Sequence, residues 1–143
     1  IAKCAAARGA WFGAREEWKW RQLAALLPER FQVSDEFRSH LEAPSESRDF
    51  ARALVEWALS VQAARKGLES GAGGLELRYE DLIRTPEQVL EQIEALLSLP
   101  PSPEPRRFAA ETLRPGPGAA ASAAEAEVLK LVAGSGIDVL LGE

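Results

Sequence analysis

Glu80 and Asp81 stand side by side in the stretch LELRYEDLIRTPEQ, the densest run of reactive side chains in the sequence. Paired carboxylates serve acid–base catalysis when both converge on one bond, but neighbours at a strand end point to opposite sides. The spacing therefore predicts a structural role: one carboxylate orders the turn or pairs with Arg78 or Arg84, and the other faces water. Cys4 is the single cysteine; only Lys3 and Arg8 nearby would favour its thiolate, so a nucleophilic role has little local support. His40, the single histidine, sits in a polar connection and reads as a surface residue rather than a base. One Cys and one His also make a structural zinc site implausible and an internal disulfide impossible. Trp11, Trp18 and Trp20 fall within ten residues. They could line an acceptor pocket, but burial as a satellite core is the reading the spacing favours.

The totals narrow the classes of partner. The 143 residues are 46% apolar and 27% charged, enough for one domain with a core, and carry a net charge of −5. An acidic chain lacks the basic face that displaces counterions from nucleic acid, although a few placed donors can still hold a small anion. No apolar run approaches a membrane span and no secretion signal opens the chain, so a soluble, cytoplasmic protein is expected. The sequence lacks methionine and begins on IAKCAAAR, which reads as the interior of a helix. It is expected to be a piece of a longer protein cut upstream.

The elements that must position these residues follow from periodicity. A first helix is expected to about Arg8, stopped by Gly9, and residues 28–47 read as a long polar connection with a helical turn around 35–41. The clearest long helix follows Ser47 and Asp49; Phe50, Leu54, Trp57, Ala58 and Val61 form its stripe, and Arg65, Lys66 and Gly67 mark its end. Gly71-Ala72-Gly73-Gly74 is a flexible connection, lacking the lysine and hydroxyl residue of a phosphate loop. LELRY alternates, with Leu75, Leu77 and Tyr79 on one face, and predicts a short strand at about 75–79. Thr85-Pro86-Glu87-Gln88 predicts a capped helix with Val89, Ile93, Leu96 and Leu97 buried, ended by Pro100 and the prolines after it. A helical turn is expected over 106–112, and a helix over 119–133 burying Val128, Leu129 and Val132. A lone strand needs partners, and none is visible in this sequence.

The stretch LELRYEDLIRTPEQVLEQIEALLSLP resembles a segment of the sulfotransferases that use 3′-phosphoadenosine 5′-phosphosulfate. The resemblance rests on Tyr79-Glu80-Asp81-Leu82, Pro86, and Leu99-Pro100, with the Trp57 helix just ahead, and is strongest over 47–100. It implies an α/β fold: a single partial domain over 1–143, the predominantly helical C-terminal portion of a P-loop-type three-layer sulfotransferase, with 75–79 as its one clear strand. The parent would transfer a sulfuryl group from the phosphosulfate co-substrate to a hydroxyl or amine on a small-molecule or glycan acceptor. The resemblance places Tyr79 at the adenine. More weakly, it puts Cys4 where the family's serine meets the 3′-phosphate, a departure because a thiol donates more weakly than a hydroxyl. For the family's near-terminal phosphate contact, which has no clear counterpart in this sequence, the resemblance offers only Arg114 before Pro115.

Sulfuryl transfer needs an in-line nucleophile, donors for the spreading charge and a base for the acceptor's proton. No group of residues in this sequence supplies all three. The resemblance implies that the phosphosulfate loop and the base lie upstream of Ile1, so the catalytic residues are unassigned and the chain alone is expected to be inactive. The alternative is a mostly helical interaction module, with Tyr79 buried between the Trp57 helix and the helix over 85–99.

Overall fold

Helices follow one another along the chain with no strand among the described residues. The computed structural model describes residues 17–43, 47–71, 73–113 and 121–142. Among them are eight helices: α1 (Glu17–Arg30), α2 (Asp35–Glu42), α3 (Arg48–Glu69), α4 (Tyr79–Arg84), α5 (Pro86–Leu96), α6 (Pro103–Thr112), α7 (Ala123–Leu131) and α8 (Ile137–Gly142). None is long and apolar enough to cross a membrane.

The α/β expectation is overturned. Residues 73–78 carry neither helix nor strand; among the described residues their backbone bonds are those that the Arg78 carbonyl accepts from the Asp81 and Leu82 amides in the first turn of α4. Their apolar–polar alternation is real, but a strand is a pairing of two backbones, and alternation supplies only half of it. Tyr79, expected to end that strand, instead begins α4. Glu80 and Asp81 in the first turn and Arg84 in the last match the helix dipole, and Arg78 before them is extended, with φ −87° and ψ 136°.

The chain divides into two compact units, Ile1–Ala64 with Ala120–Glu143, and Arg65–Ala119. The first has a well-filled core. Trp20 and Leu27 of α1, Phe37 and Leu41 of α2, and Ala51, Leu54, Val55 and Ala58 of α3 are all buried. Val128 and Val132 of the α7 end and Ile137 of α8 complete it, each fully buried. Of the expected stripe on α3, Phe50, Leu54 and Ala58 are buried and Trp57 and Val61 half-buried, but Ala51, Arg52, Ala53 and Val55 are buried too, so the start of the helix is enclosed on more than one face. The polar connection expected over 28–47 is shortened because α1 runs through Pro28 to Arg30, while the helical turn expected around 35–41 is α2. Ser34 caps α2 by accepting from the Phe37 amide at 3.1 Å.

A tight turn joins α7 to α8. Gly134 and Gly136 have φ of +75° and +90°, and their amides donate to the Asp138 carboxylate at 2.7 and 3.0 Å. Those backbone donors, Gly134 first, hold the Asp138 carboxyl below the usual carboxylate range. Nearby, the Gln32 amide donates to the Ser135 carbonyl at 3.1 Å, fixing the link after α1 to this turn. At the start of α7, Ser122 and Glu125 form a reciprocal capping box.

The second unit is thinly filled. Val89 and Ala109 are its buried apolar side chains among the described residues. The expected stripe on α5 is only partly present: Val89 is buried and Ile93 half-buried, but Leu96 and Leu97 are exposed. The expected capping box at Thr85 is also absent. Thr85 makes no side-chain cap to α5, and its hydroxyl donates instead to the Asp81 carbonyl at 3.1 Å, closing α4. What holds α5 to α6 is ionic. Arg106 donates from Nη1 and Nη2 to the two Glu94 carboxylate oxygens at 2.7 and 2.8 Å, and the Ser102 amide adds a third bond at 3.0 Å. Led by the Arg106 bond, these hold the Glu94 carboxyl down at about 2.

The end of α5 contains one strained residue. Ser98 has φ +53°, while the Ser98 and Leu99 amides donate back to the Ala95 and Glu94 carbonyls at 3.2 and 2.8 Å. This is a Schellman closure with a side chain in the left-handed position that favours glycine. Ser98→Gly is expected to stabilise the second unit by about 1 kcal/mol. A thermal melt followed by circular dichroism reads it; a lowered midpoint would refute the assignment of strain.

Candidate functional site

Of the three residues expected to hold nucleotide, the structure places one. Cys4 and Arg114 lie outside the described residues, as does Trp11. Tyr79 is 66% exposed at the first position of α4, so it is not a core residue. Glu80, also in the first turn of α4, lies 3.8 Å from Arg78, both side chains about half exposed. The remaining expected candidates are structural. Trp20 is buried and Trp18 exposed, so they do not make one aromatic wall. His40 is half-buried, with Nε2 at 2.6 Å from the hydroxyl of buried Ser47 just before α3.

Beside α4 the second unit contains a cleft of about 420 Å³. Glu76, Leu77 and Arg78 form one wall, and Gln88 and Gln92 of α5 form another. Asp81 and Thr85 line it from α4 and its end, and buried Val89 supplies an apolar floor. Glu76 is held in place by Arg65, whose Nε and Nη2 donate to its Oε1 at 2.9 and 2.7 Å. That contact, chiefly its hydrogen bonds, lowers the Glu76 carboxyl from the ordinary range. Of the carboxylates that line the cleft, Glu76 is therefore paired, and Asp81 has no ion-pair partner among the described residues.

No family model matches the chain, and neither does any curated protein or any solved structure. What the site can do follows from its own side chains. A phenol available to solvent, with Arg78 immediately before it, can accept a flat heteroaromatic ring and donate one hydrogen bond.

Sequence reasoning missed the cleft and both of the charged contacts that shape this unit. Periodicity marks Arg65 only as a helix-end cation and gives Glu94 no role within α5. The single local signal for the cleft was the pair Gln88 and Gln92, four residues apart and therefore on one face of α5.

Proposed function

We propose that this chain belongs to a sulfotransferase-like protein and contributes the adenosine-holding side of a 3′-phosphoadenosine 5′-phosphosulfate site. The observation that carries the reading is the exposure of Tyr79. The residue that the signature Tyr79-Glu80-Asp81-Leu82 would set against adenine has a phenol open to solvent, at 66% exposure, and not packed under a helix. That exposure also weighs against the interaction module in the form that needs Tyr79 buried between helices.

Among the described residues, Tyr79 is the one that this reading uses. Tyr79 would stack on the base and hydrogen-bond a ring nitrogen. The 3′-phosphate would fall to Cys4 and Arg114. The co-substrate, when bound, supplies the sulfuryl group; this chain's residues bind and orient its nucleotide portion. No described constellation combines a nucleophile-activating base with donors for the transferring group, so the chemistry belongs to other parts of the parent.

Adenosine 3′,5′-bisphosphate should raise the thermal midpoint of the folded chain, because ligand that binds only the native state stabilises it by mass action. Tyr79→Ala should abolish the rise, and Tyr79→Phe should retain part of it by keeping the ring. A midpoint unmoved at millimolar nucleotide, with unchanged Tyr79 ring resonances, would refute the proposal. The chain alone should also transfer no sulfate from labelled co-substrate to hydroxyl or amine acceptors; measurable transfer would show that the chemistry is contained here.

A further inference from the structure

The cleft in the second unit has hydrogen-bonding capacity that no other described residue uses. The amides of Gln88 and Gln92 bond to no other described residue, nor does the Asp81 carboxylate. Glu76 and Leu77, which also line the cleft, have backbone amides and carbonyls with no backbone partner among the described residues. Glu76, by contrast, is already occupied by Arg65.

Spacing and charge select among ligands. Gln88 and Gln92 are one helical step of four residues apart, a rise of about 6 Å. Alternate peptide groups in an extended chain repeat every 6.5 Å or so, at roughly 3.3 Å per residue. The two glutamines can therefore address alternate peptide groups of one extended segment, each offering both a donor and an acceptor. The facing wall offers backbone groups of the same kind. Val89 and Leu77 give such a segment apolar surface. Asp81 supplies a negative charge with no ion-pair partner among the described residues, whereas Glu76 is paired with Arg65 and Arg78 lies 3.8 Å from Glu80.

From these features we propose that the cleft binds a short extended peptide carrying a basic side chain: Gln88 and Gln92 hold its backbone, and Asp81 pairs with its cation. The site is separate from the Tyr79 phenol, which does not line it, and stands whether or not nucleotide binds.

The test is an amide-resonance titration of the full chain with acetyl-Ala-Lys-Ala-Ala-amide, its Glu counterpart and a neutral disaccharide. The lysine peptide should shift the backbone resonances of residues 75–78 and the side-chain amides of Gln88 and Gln92. It should bind about tenfold more tightly than the glutamate peptide, the scale of one interfacial charge contact. Asp81→Asn should erase that preference while leaving weak binding of both peptides, and Gln88→Ala with Gln92→Ala should weaken both equally. Unchanged spectra of the free variants outside the cleft, and unchanged melting midpoints, establish that they fold. Absence of shifts at millimolar peptide, shifts scattered away from the cleft, or equal response to the disaccharide would overturn the proposal.

Discussion

Arg52→Ala should cost about 3 kcal/mol of the first unit's stability, more than any surface substitution in the chain. Arg52 is 4% exposed on α3, and its guanidinium lies 4.5 Å from the centroid of the Trp20 ring. Its Nε donates to the Leu41 carbonyl at 2.9 Å, which closes the end of α2 against α3. Nη1 and Nη2 approach Glu17 and Glu42 at 3.4 and 3.6 Å, and the Trp20 indole donates to Glu42 at 3.3 Å. The two acids are substantially exposed, so their Coulomb contribution is small. The loss comes from the charged donor to a buried carbonyl, the stacked ring and the volume removed. Arg52→Lys should recover less than half, since an ammonium cannot lie flat on indole and reach Leu41 together. Urea denaturation read by tryptophan fluorescence checks this cleanly, because every tryptophan precedes residue 65. Full stability in Arg52→Lys would show that charge alone, not planar geometry, is what the site uses.

The second large effect is expected in the other unit, at acid pH. The Glu94 carboxyl is depressed from its ordinary 4.5 to about 2 in the folded chain. A depressed carboxylate contributes stability that is fully present above its unfolded value and is lost as pH falls through its folded value. The α5–α6 clamp should therefore hold above about pH 5 and weaken progressively as pH falls from 4.5 towards 2. With only Val89 and Ala109 buried beside it, this unit has little apolar packing to compensate. Hydrogen exchange of the α6 amides should accelerate at least about tenfold relative to the intrinsic rate across that window, as local opening becomes easier. Glu94→Gln should show the same loss of protection at neutral pH, whereas tryptophan fluorescence from the first unit should stay constant. Protection of α6 that is independent of both pH and Glu94 would mean that apolar contacts hold the pair.

Particular elements show where local reading holds. The α3 stripe and the buried Val128 and Val132 follow helical periodicity, since covalent spacing alone places such residues on one face. The start of α5 at Pro86 follows from proline's fixed φ, whereas α6 begins at Pro103, ahead of the expected 106, and the Ser122 cap starts α7 later than the expected 119. Thr85 shows the limit. Its residue type suits a cap, but its hydroxyl had two carbonyl and amide choices within one turn, and the bond to Asp81 prevailed. Tyr79 shows it again: period-2 alternation in LELRY matched a strand, while the charges of YEDLIR matched a helix, and without a partner backbone the helix won at that residue.

By itself the sequence determined the long helix after Ser47, the proline-started helix at Pro86 and the buried Val89, Val128 and Val132. Only the tertiary structure decided that Arg52 is buried, that Glu94 clasps Arg106, that Tyr79 stays open to water and that a cleft opens beside it. The physical reason is reach. Helix type and face depend on residues within a turn or two of each other, whereas Arg52 meets Glu17 across 35 positions, Trp20 meets Glu42 across 22 and Glu94 meets Arg106 across 12. Burial of a charge or exposure of a phenol is a property of those distant neighbours, which no window of sequence contains.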